Sequence, residues 1–284
     1  MDKDYIDISE SQNDDKNIKL LFAKYIYYNK GNRYIYCIIL AVLIQWISSS
    51  FIDVINIHFE LSLNMSAVNI VMSLVVFFIV NLFIKFCKEC FIKGANFTGI
   101  FDDRLFSVGL NSNFDQKKYI ASALCLKKRK SKLYNKKIND FRDWYNYCNG
   151  NKIYLIRSNY DVCLRWSKKL ASYSIIFLTF FLLIIPMVII WFQSNDSLSY
   201  FLLNISLLIV TVFSPLKEII VNTYMKSKIV EGFSGTHTCD DINEYSKQIY
   251  KFRSTISFSP DISHILFKKR IHDEEKNLKE SNEM

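Results

Sequence analysis

Arginine, tryptophan and asparagine side chains recur in one polar stretch of the chain in a pattern that suits a phosphate-bearing ligand. The residues are Arg142, Trp144, Arg157, Asn159 and Arg165. Guanidinium groups bind phosphate through paired hydrogen bonds, and aromatic rings stack on nucleobases. A buried ion-pair network that supports a helical layer would use the same residue types. The residues alone therefore leave a nucleotide site and a structural network equally open.

A second concentration of positive charge precedes this stretch. The run Lys127-Lys128-Arg129-Lys130-Ser131-Lys132 is followed by Lys136 and Lys137. Such a run attracts anionic lipid headgroups or a phosphate ligand. A solvated helix on the positive side of a membrane protein carries the same charges, and we favour this plainer interpretation.

Catalytic and metal-binding patterns are missing from the sequence. It contains no P-loop, no Gly-x-Ser-x-Gly, no His-Glu-x-x-His and no dinucleotide-binding glycine pattern. Cys87 and Cys90 form a lone Cys-x-x-Cys pair, whereas a structural zinc site needs about four ligands. We expect no enzymatic activity, no metal and no cofactor, and free thiols in a reducing compartment.

Four apolar runs without Asp, Glu, Lys or Arg position these polar residues. They are residues 34–52, 67–84, 172–192 and 197–216, with lengths of 19, 18, 21 and 20 residues. A helix of about 20 residues crosses a hydrocarbon core of about 30 Å. The sequence therefore predicts an all-α polytopic membrane protein, with four transmembrane helices and a small helical cytoplasmic layer. It excludes a soluble nucleic-acid-binding protein.

The charge distribution predicts the orientation. All 36 Lys and Arg residues lie outside the two short loops, 53–66 and 193–196, that join the runs in pairs. Residues 87–171 carry 18 basic and 7 acidic side chains. By the positive-inside rule, this segment and both termini are cytoplasmic. The abundant Lys, Ile and Asn residues are typical of an AT-rich bacterial genome, so we expect the bacterial inner membrane.

Five consecutive regions follow from this topology. They are a cytoplasmic N-terminal segment with a juxtamembrane helix (1–33), a first transmembrane hairpin (34–86), a basic cytoplasmic helical region (87–171), a second hairpin (172–216) and cytoplasmic C-terminal helices (217–284). We expect residues 1–15 to be disordered and the juxtamembrane helix to lie along the membrane face. Pro186 should kink the third span, and tail helices should cover about 239–254 and 261–280.

Neutral polar side chains within the spans need hydrogen-bond partners inside lipid. Gln45, Asn81, Asn204 and Thr211 are candidates for lining an oligomeric pore. Hydrogen bonding between the helices of one bundle is the plainer interpretation, and we favour it. No ionisable residue lies at mid-membrane, which argues against an ion-coupled transporter.

Short elements occur along the chain in an order typical of one bacterial family. They are Ile100-Phe101-Asp102, Val108-Gly109-Leu110-Asn111, Asp143-Trp144-Tyr145, Arg157-Ser158-Asn159 with Leu164-Arg165, and Gln248-Ile249-Tyr250 with Arg253 before Ser259-Pro260-Asp261. Together with the four spans and the basic centre, they make about residues 16–280 resemble the SMODS-associated four-transmembrane effectors. Ser112 departs from the family pattern, which has a tryptophan-containing element there.

The resemblance implies a pore-forming effector of bacterial cyclic-oligonucleotide anti-phage defence. Its implied partners are the lipid bilayer, a cyclic oligonucleotide second messenger and further copies of the chain, with no nucleic-acid polymer. Under this hypothesis the polar set of Arg142, Trp144, Arg157, Asn159 and Arg165 binds the messenger. The competing hypothesis is a non-channel membrane adaptor or anchor that binds a cytoplasmic partner protein.

Overall fold

The computed structural model describes residues 5–59, 65–109, 115–193, 202, 205–207, 209–210, 214–228 and 239–258. Its elements are β1 (Tyr5–Asp7), α1 (Ser9–Gln12), α2 (Asp15–Phe59), α3 (Met65–Phe106), α4 (Gln116–Arg129), α5 (Ser131–Lys137), a 3-10 turn (Ile138–Phe141), β2 (Asn149–Asn151), α6 (Lys152–Thr179), a π-helical stretch (Phe180–Ile184), α7 (Ile185–Gln193), α8 (Ser214–Lys228) and α9 (Cys239–Ser254). This part of the chain is helical apart from one two-stranded sheet. The predicted all-α class is confirmed with that small addition.

Helices α2 and α3 form a long antiparallel pair that continues from the apolar runs into the polar part of the molecule. Tyr28 stacks edge-on against Phe91, with ring centroids 5.3 Å apart. A β-carbon on Gly31 would lie 2.6 Å from the Phe91 ring. Glycine therefore permits the close approach of the two helices at this crossing.

Two stretches are long and apolar enough to cross a membrane. They are Ile70–Phe106 and Lys152–Val188, with best windows of mean hydropathy 2.5 and 2.2. Only 22% and 28% of those windows are buried inside the structure. Such exposed apolar surface is typical of helices that face lipid, whereas a core helix of a soluble protein is mostly covered. These stretches contain the second and third predicted spans. The first lies within α2, and the fourth falls largely outside the described residues.

The buried side chains divide into two cores. One core packs α2, α3, α4, α6 and α9 around aromatic residues such as Phe22, Phe101 and Tyr160. The other lies among the apolar runs and includes Ile38, Val80 and Leu182. The first core corresponds to the predicted helical layer and the second to the predicted transmembrane bundle.

The expected disorder of residues 1–15 was wrong for β1 and α1. β1 pairs antiparallel with β2, with Tyr5 opposite Asn151 and Asp7 opposite Asn149. Residues 15–33 form the helix expected there, as the first half of α2, which continues without a break into the first apolar run. Leu20 and Phe22 are fully buried in the layer core because this half of α2 is its central helix.

The third span departs from α-helical geometry just before Pro186. The π-helical stretch Phe180–Ile184 ends where the Ile185 N–H donates to the Phe180 carbonyl, five residues back. This disruption occurs where proline removes a donor from the helix. The tail prediction for 239–254 is confirmed by α9, and the one for 261–280 lies outside the described residues.

Candidate functional site

A buried polar network lies at the centre of the helical layer. The Asp102 carboxylate, 1% exposed, accepts hydrogen bonds from the Tyr145 hydroxyl at 2.5 Å and the Tyr160 hydroxyl at 3.1 Å. Arg253 forms an ion pair with the same carboxylate at 2.5 Å. These four residues, the Asp102 network, join α3, the loop after the 3-10 turn, α6 and α9.

The electrostatics of the Asp102 network keep its donors protonated. Burial, followed by the charge of Asp102, raises the pKa values of Tyr145 and Tyr160 well above the ordinary value. Burial alone would lower the pKa of Arg253, but the Asp102 carboxylate outweighs it and the pKa is raised. Arg253 also lies over the Tyr160 ring, 5.2 Å from its centroid. A buried charge pair with its hydrogen bonds satisfied in this way holds four segments in one arrangement.

The loop that carries Tyr145 is shaped by a strained residue. Asp143 has a φ of +48°, a conformation that aspartate tolerates better than most side chains. Its N–H donates to the Asn13 side-chain oxygen at 3.0 Å, and its carboxylate accepts from the Asn13 amide at 2.8 Å. The N-terminal segment thereby fixes the turn that points Tyr145 into the network.

Trp144, a predicted ligand residue, lies beside a lysine that the sequence did not indicate. The Lys24 ammonium is 3.7 Å from the centroid of the Trp144 ring. Burial and the nearby Arg253 charge lower the pKa of Lys24 to about 7. The indole N–H of Trp144 is buried and has no hydrogen-bond partner within the described part of the chain. Lys24 therefore offers an amine that carries a positive charge below about pH 7, and Trp144 offers an unused donor.

Asn159, another predicted ligand residue, is committed to the backbone. Its side-chain amide donates to the Tyr147 carbonyl at 2.8 Å, and its oxygen accepts from the Tyr147 N–H at 3.1 Å. It is 1% exposed. This pairing anchors the loop containing Trp144 and Tyr145 to α6, so Asn159 positions the loop.

The three predicted arginines lie around the helical layer at different places. Arg142 is exposed and near Tyr134, whose pKa is raised by burial while the Arg142 charge partly opposes the shift. Arg157 lies near Tyr245, where burial and Asp161 raise the tyrosine pKa and Arg157 opposes them. Arg165, half-buried, is two turns farther along α6, about 12 Å from Arg157 along the axis.

The basic run lies far from the membrane end of the layer. Lys127 contacts Asp15 at 3.9 Å and lies over the Tyr134 ring at 4.8 Å. Asp15 begins α2, 19 residues before the first apolar run, which corresponds to about 28 Å of helix. This distance exceeds the Debye length of about 8 Å at physiological ionic strength. The run therefore lies several Debye lengths from the start of the first predicted span.

The neighbouring cysteines are packing residues. The Cys87 thiol is buried and donates to the Gly31 carbonyl at 3.5 Å. Burial raises its pKa to about 12. A protonated thiol is a poor metal ligand and nucleophile. Within the described residues, no three His, Cys, Asp or Glu side chains are grouped to hold a metal ion.

Comparison with known proteins decides the family. Residues 6–284 match the SMODS-associating 4TM effector domain. The chain belongs to this family. No curated protein and no solved structure matches the chain. The resemblance noted in the sequence is thus confirmed, and the SMODS-associating 4TM effector domain accounts for nearly the whole chain as a membrane effector.

The sequence elements that carried the resemblance converge in this 4TM effector domain. Asp102, Tyr145 and Arg253 come from three of those elements and meet in the Asp102 network. In the sequence these residues belong to separate family elements, and nothing there indicates that they form one site. No local signal could have joined them, because Arg253 is 151 residues from Asp102.

The segment that follows Arg253 connects the Asp102 network to the predicted transmembrane bundle. Residues 256–258, which we call the wedge, follow Arg253 and are nearly fully buried. The Phe258 ring packs against Tyr36 of the first span at 5.3 Å and Phe177 of the third at 5.5 Å. Its N–H donates to the Thr223 hydroxyl on α8 at 3.1 Å. Three helices that contain or adjoin predicted spans therefore meet at one side chain.

Lys226 holds the wedge through an unusual contact. Its ammonium donates to the Thr255 carbonyl at 3.2 Å and the Ser257 hydroxyl at 2.8 Å. It also lies 4.6 Å from the Phe252 ring centroid. Burial lowers its pKa to about 7. Sequence reasoning missed this lysine, since only the fold shows that it is buried.

The candidate pore residues have different environments. Gln45 is buried and donates to the Ser73 hydroxyl at 2.6 Å, which links α2 to α3. Asn81 is exposed, and its amide donates to the Phe77 carbonyl of its own helix at 2.8 Å. Asn204 and Thr211 lie outside the described residues. For Gln45, the contact is an interhelical hydrogen bond within one chain.

Proposed function

We propose that this family member is a membrane effector of bacterial anti-phage defence that a cyclic oligonucleotide gates. In this proposal it assembles as a homo-oligomer in the inner membrane, with both termini in the cytoplasm, and permeabilises that membrane. The observation that carries the proposal is the continuity between the Asp102 network and the wedge. Arg253 belongs to the network, and Phe258, five residues later, contacts helices of two spans.

The helical layer supplies the ligand contacts in this mechanism. Arg142, Arg157 and Arg165 attract the phosphates, and Trp144 stacks on a base. Asn159 contributes by holding the loop that presents Trp144. The basic run on α4 and α5 adds long-range attraction for a polyanion.

Gating requires that the ligand bind the open assembly more tightly than the closed one. A shift from about 1% to about 99% open needs a difference of roughly 5.5 kcal/mol. Several arginine–phosphate pairs formed in only one state supply differences of that order. The Asp102 network and the wedge then transmit the change, because they connect the ligand-bearing segments to the spans.

The test is dye leakage from liposomes that carry the purified protein, measured with a panel of cyclic di- and trinucleotides. We expect one ligand to trigger leakage, and Arg157→Ala and Arg165→Ala each to weaken that response. Lys247→Ala, an exposed charge change on α9, is the matched control and should respond as the wild type. Full response in both arginine variants would refute the ligand assignment. Ligand binding without leakage, despite correct insertion, would favour the adaptor hypothesis.

A further inference from the structure

An open groove of about 530 Å³ separates α3 from α8. Its lining residues lie in and just after the second apolar run and just after the fourth. They are Phe77, Asn81, Ile84 and Lys88 from α3, and Lys217, Glu218, Val221 and Asn222 from α8. Its volume is in the range of sites that bind small molecules, about 300–1,000 Å³. Nothing in the Asp102 network or the wedge uses this space.

The groove has an apolar end and a charged end, and their order follows the membrane boundary. Phe77 and Ile84 lie within the second run, 67–84, whereas Lys88 lies one helical turn beyond it. Lys217 is the first residue after the fourth run, 197–216. Val221, 46% exposed, and Asn222 follow Lys217 along α8 and line the headgroup side of the groove. The groove therefore crosses the level where hydrocarbon gives way to headgroups.

The charged end carries an excess positive charge. Lys88 and Glu218 form an ion pair at 2.6 Å, and both side chains are nearly half exposed. Such an exposed pair contributes little and can rearrange around another anion. Lys217 is exposed and has no ion pair in the part of the chain that the structure describes. Two lysines against one glutamate complement a single negative charge.

We propose that this groove binds one anionic phospholipid from the surrounding leaflet. Its phosphate contacts Lys217 and Lys88, and its acyl chains lie along Phe77 and Ile84, on the membrane side of Lys88. Asn222 follows Lys217 on the headgroup side of the groove, where its amide can hydrogen-bond. The commitment to a lipid rests on the charge complementarity and on the match between the groove and the membrane boundary. It does not depend on the gating proposal.

The test is native mass spectrometry of the full-length protein in detergent, with phosphatidylglycerol or phosphatidylcholine of the same acyl chains. We expect the wild type to retain phosphatidylglycerol preferentially. Lys217→Glu should lower its binding at least about fivefold, since one lysine is lost and a repulsive charge is added. Lys251→Glu makes the same charge change at an exposed position of α9 outside the groove, and should bind as the wild type.

A second variant narrows the groove without changing any charge. Val221→Trp fills the space beside Lys217 on the headgroup side, so it should reduce retention of both lipids, and free glycerol phosphate should not compete with the lipid. If a charge-reversal variant fails to fold, Lys217→Gln should show the same direction with a smaller loss. Unchanged phosphatidylglycerol binding in Lys217→Glu, or an equal loss in Lys251→Glu, would overturn the proposal. The proposal would also be overturned if the wild type retained no lipid and Val221→Trp lost its oligomers. The groove would then hold a second copy of the chain.

Discussion

Arg253 and Asp102 form an ion pair, 151 residues apart in sequence, that fastens helix α9 to the long helix α3. The arginine side chain is 12% exposed and the aspartate 1%. Removing one member of a buried pair leaves the other charge desolvated and unpaired. The pair therefore decides whether α9, and the wedge behind it, stay in place.

Replacing Asp102 by alanine should destabilise the protein by about 3–5 kcal/mol, because Arg253 would remain buried without its partner. Asp103→Ala is the matched control. Asp103 accepts from the Gly109 N–H and from Gln116 at the surface of the layer, so its loss should be only about 0.5–1.5 kcal/mol. Denaturant unfolding in detergent measures both. Equal losses in the two variants would contradict the role given to the Asp102 network.

Asn159 and Arg157 should separate structural from ligand-binding roles within the same stretch of α6. Asn159→Ala removes two hydrogen bonds to the backbone of the half-buried Tyr147, so it should lower stability by about 1–3 kcal/mol. Arg157 is half-buried, and Arg157→Ala should change stability by less than about 1 kcal/mol while weakening cyclic-nucleotide binding. Thermal melting and ligand titration on both variants distinguish these effects. An Asn159→Ala variant with wild-type stability would contradict the structural assignment.

Lys226 should make the stability depend on pH above neutrality. Burial lowers its pKa to about 7, against about 10.4 in an unfolded chain. Between these values the unfolded state binds more protons, so stability rises as the pH increases from about 7 to about 10. One such lysine contributes a slope of at most about 1.4 kcal/mol per pH unit.

Unfolding free energies of the wild type and of Lys226→Met at pH 7, 8 and 9 measure this slope. The variant should lose part of it, and Lys24, which has a similar pKa, should account for a further part. Lys251→Met, at an exposed position, should keep the whole slope. Parallel curves for the wild type and Lys226→Met would show that Lys226 is charged in the folded protein.

The hydrogen bond between Gln45 and Ser73 should stabilise the contact of α2 with α3. A double-mutant cycle with Gln45→Ala and Ser73→Ala should give a coupling energy of about 0.6–2 kcal/mol. Unfolding in mixed micelles provides the four free energies. If Gln45 lined a pore instead, its replacement would alter ion leakage and show no coupling to Ser73.

The sequence predicted the elements whose signal is local. Charge-free runs identified the apolar stretches that lie in Ile70–Phe106 and Lys152–Val188. The tail helix expected at about 239–254 is α9. The pairing of β1 with β2 was missed because three residues carry too little pattern, and their partner lies more than 140 residues away. A separate juxtamembrane helix was expected within residues 1–33, whereas α2 continues through Gly31, which serves the contact with Phe91.

The candidate site was predicted in composition but not in arrangement. Residue types indicated Arg142, Trp144, Arg157, Asn159 and Arg165, and either a ligand site or a polar network. The structure contains a polar network, but its centre is Asp102, which is not one of those five residues. Of the five, Asn159 hydrogen-bonds to the backbone of Tyr147. Such roles depend on which distant segments meet, and residue types in one stretch carry no information on that.

Helix α2 is continuous from Asp15 to Phe59 and passes from the helical layer into the first apolar run. A tilt about the start of that run, at residue 34, therefore moves both ends of the helix. A helix rises about 1.5 Å per residue, so the arm before residue 34 is about 28 Å long. Tilting the rod by about 5° would move its cytoplasmic tip by about 2.5 Å, and the opposite end by a comparable amount in the other direction. A change in packing beside Phe22 that tilts this helix would therefore also displace the other end of the first predicted span, without any bend in the helix.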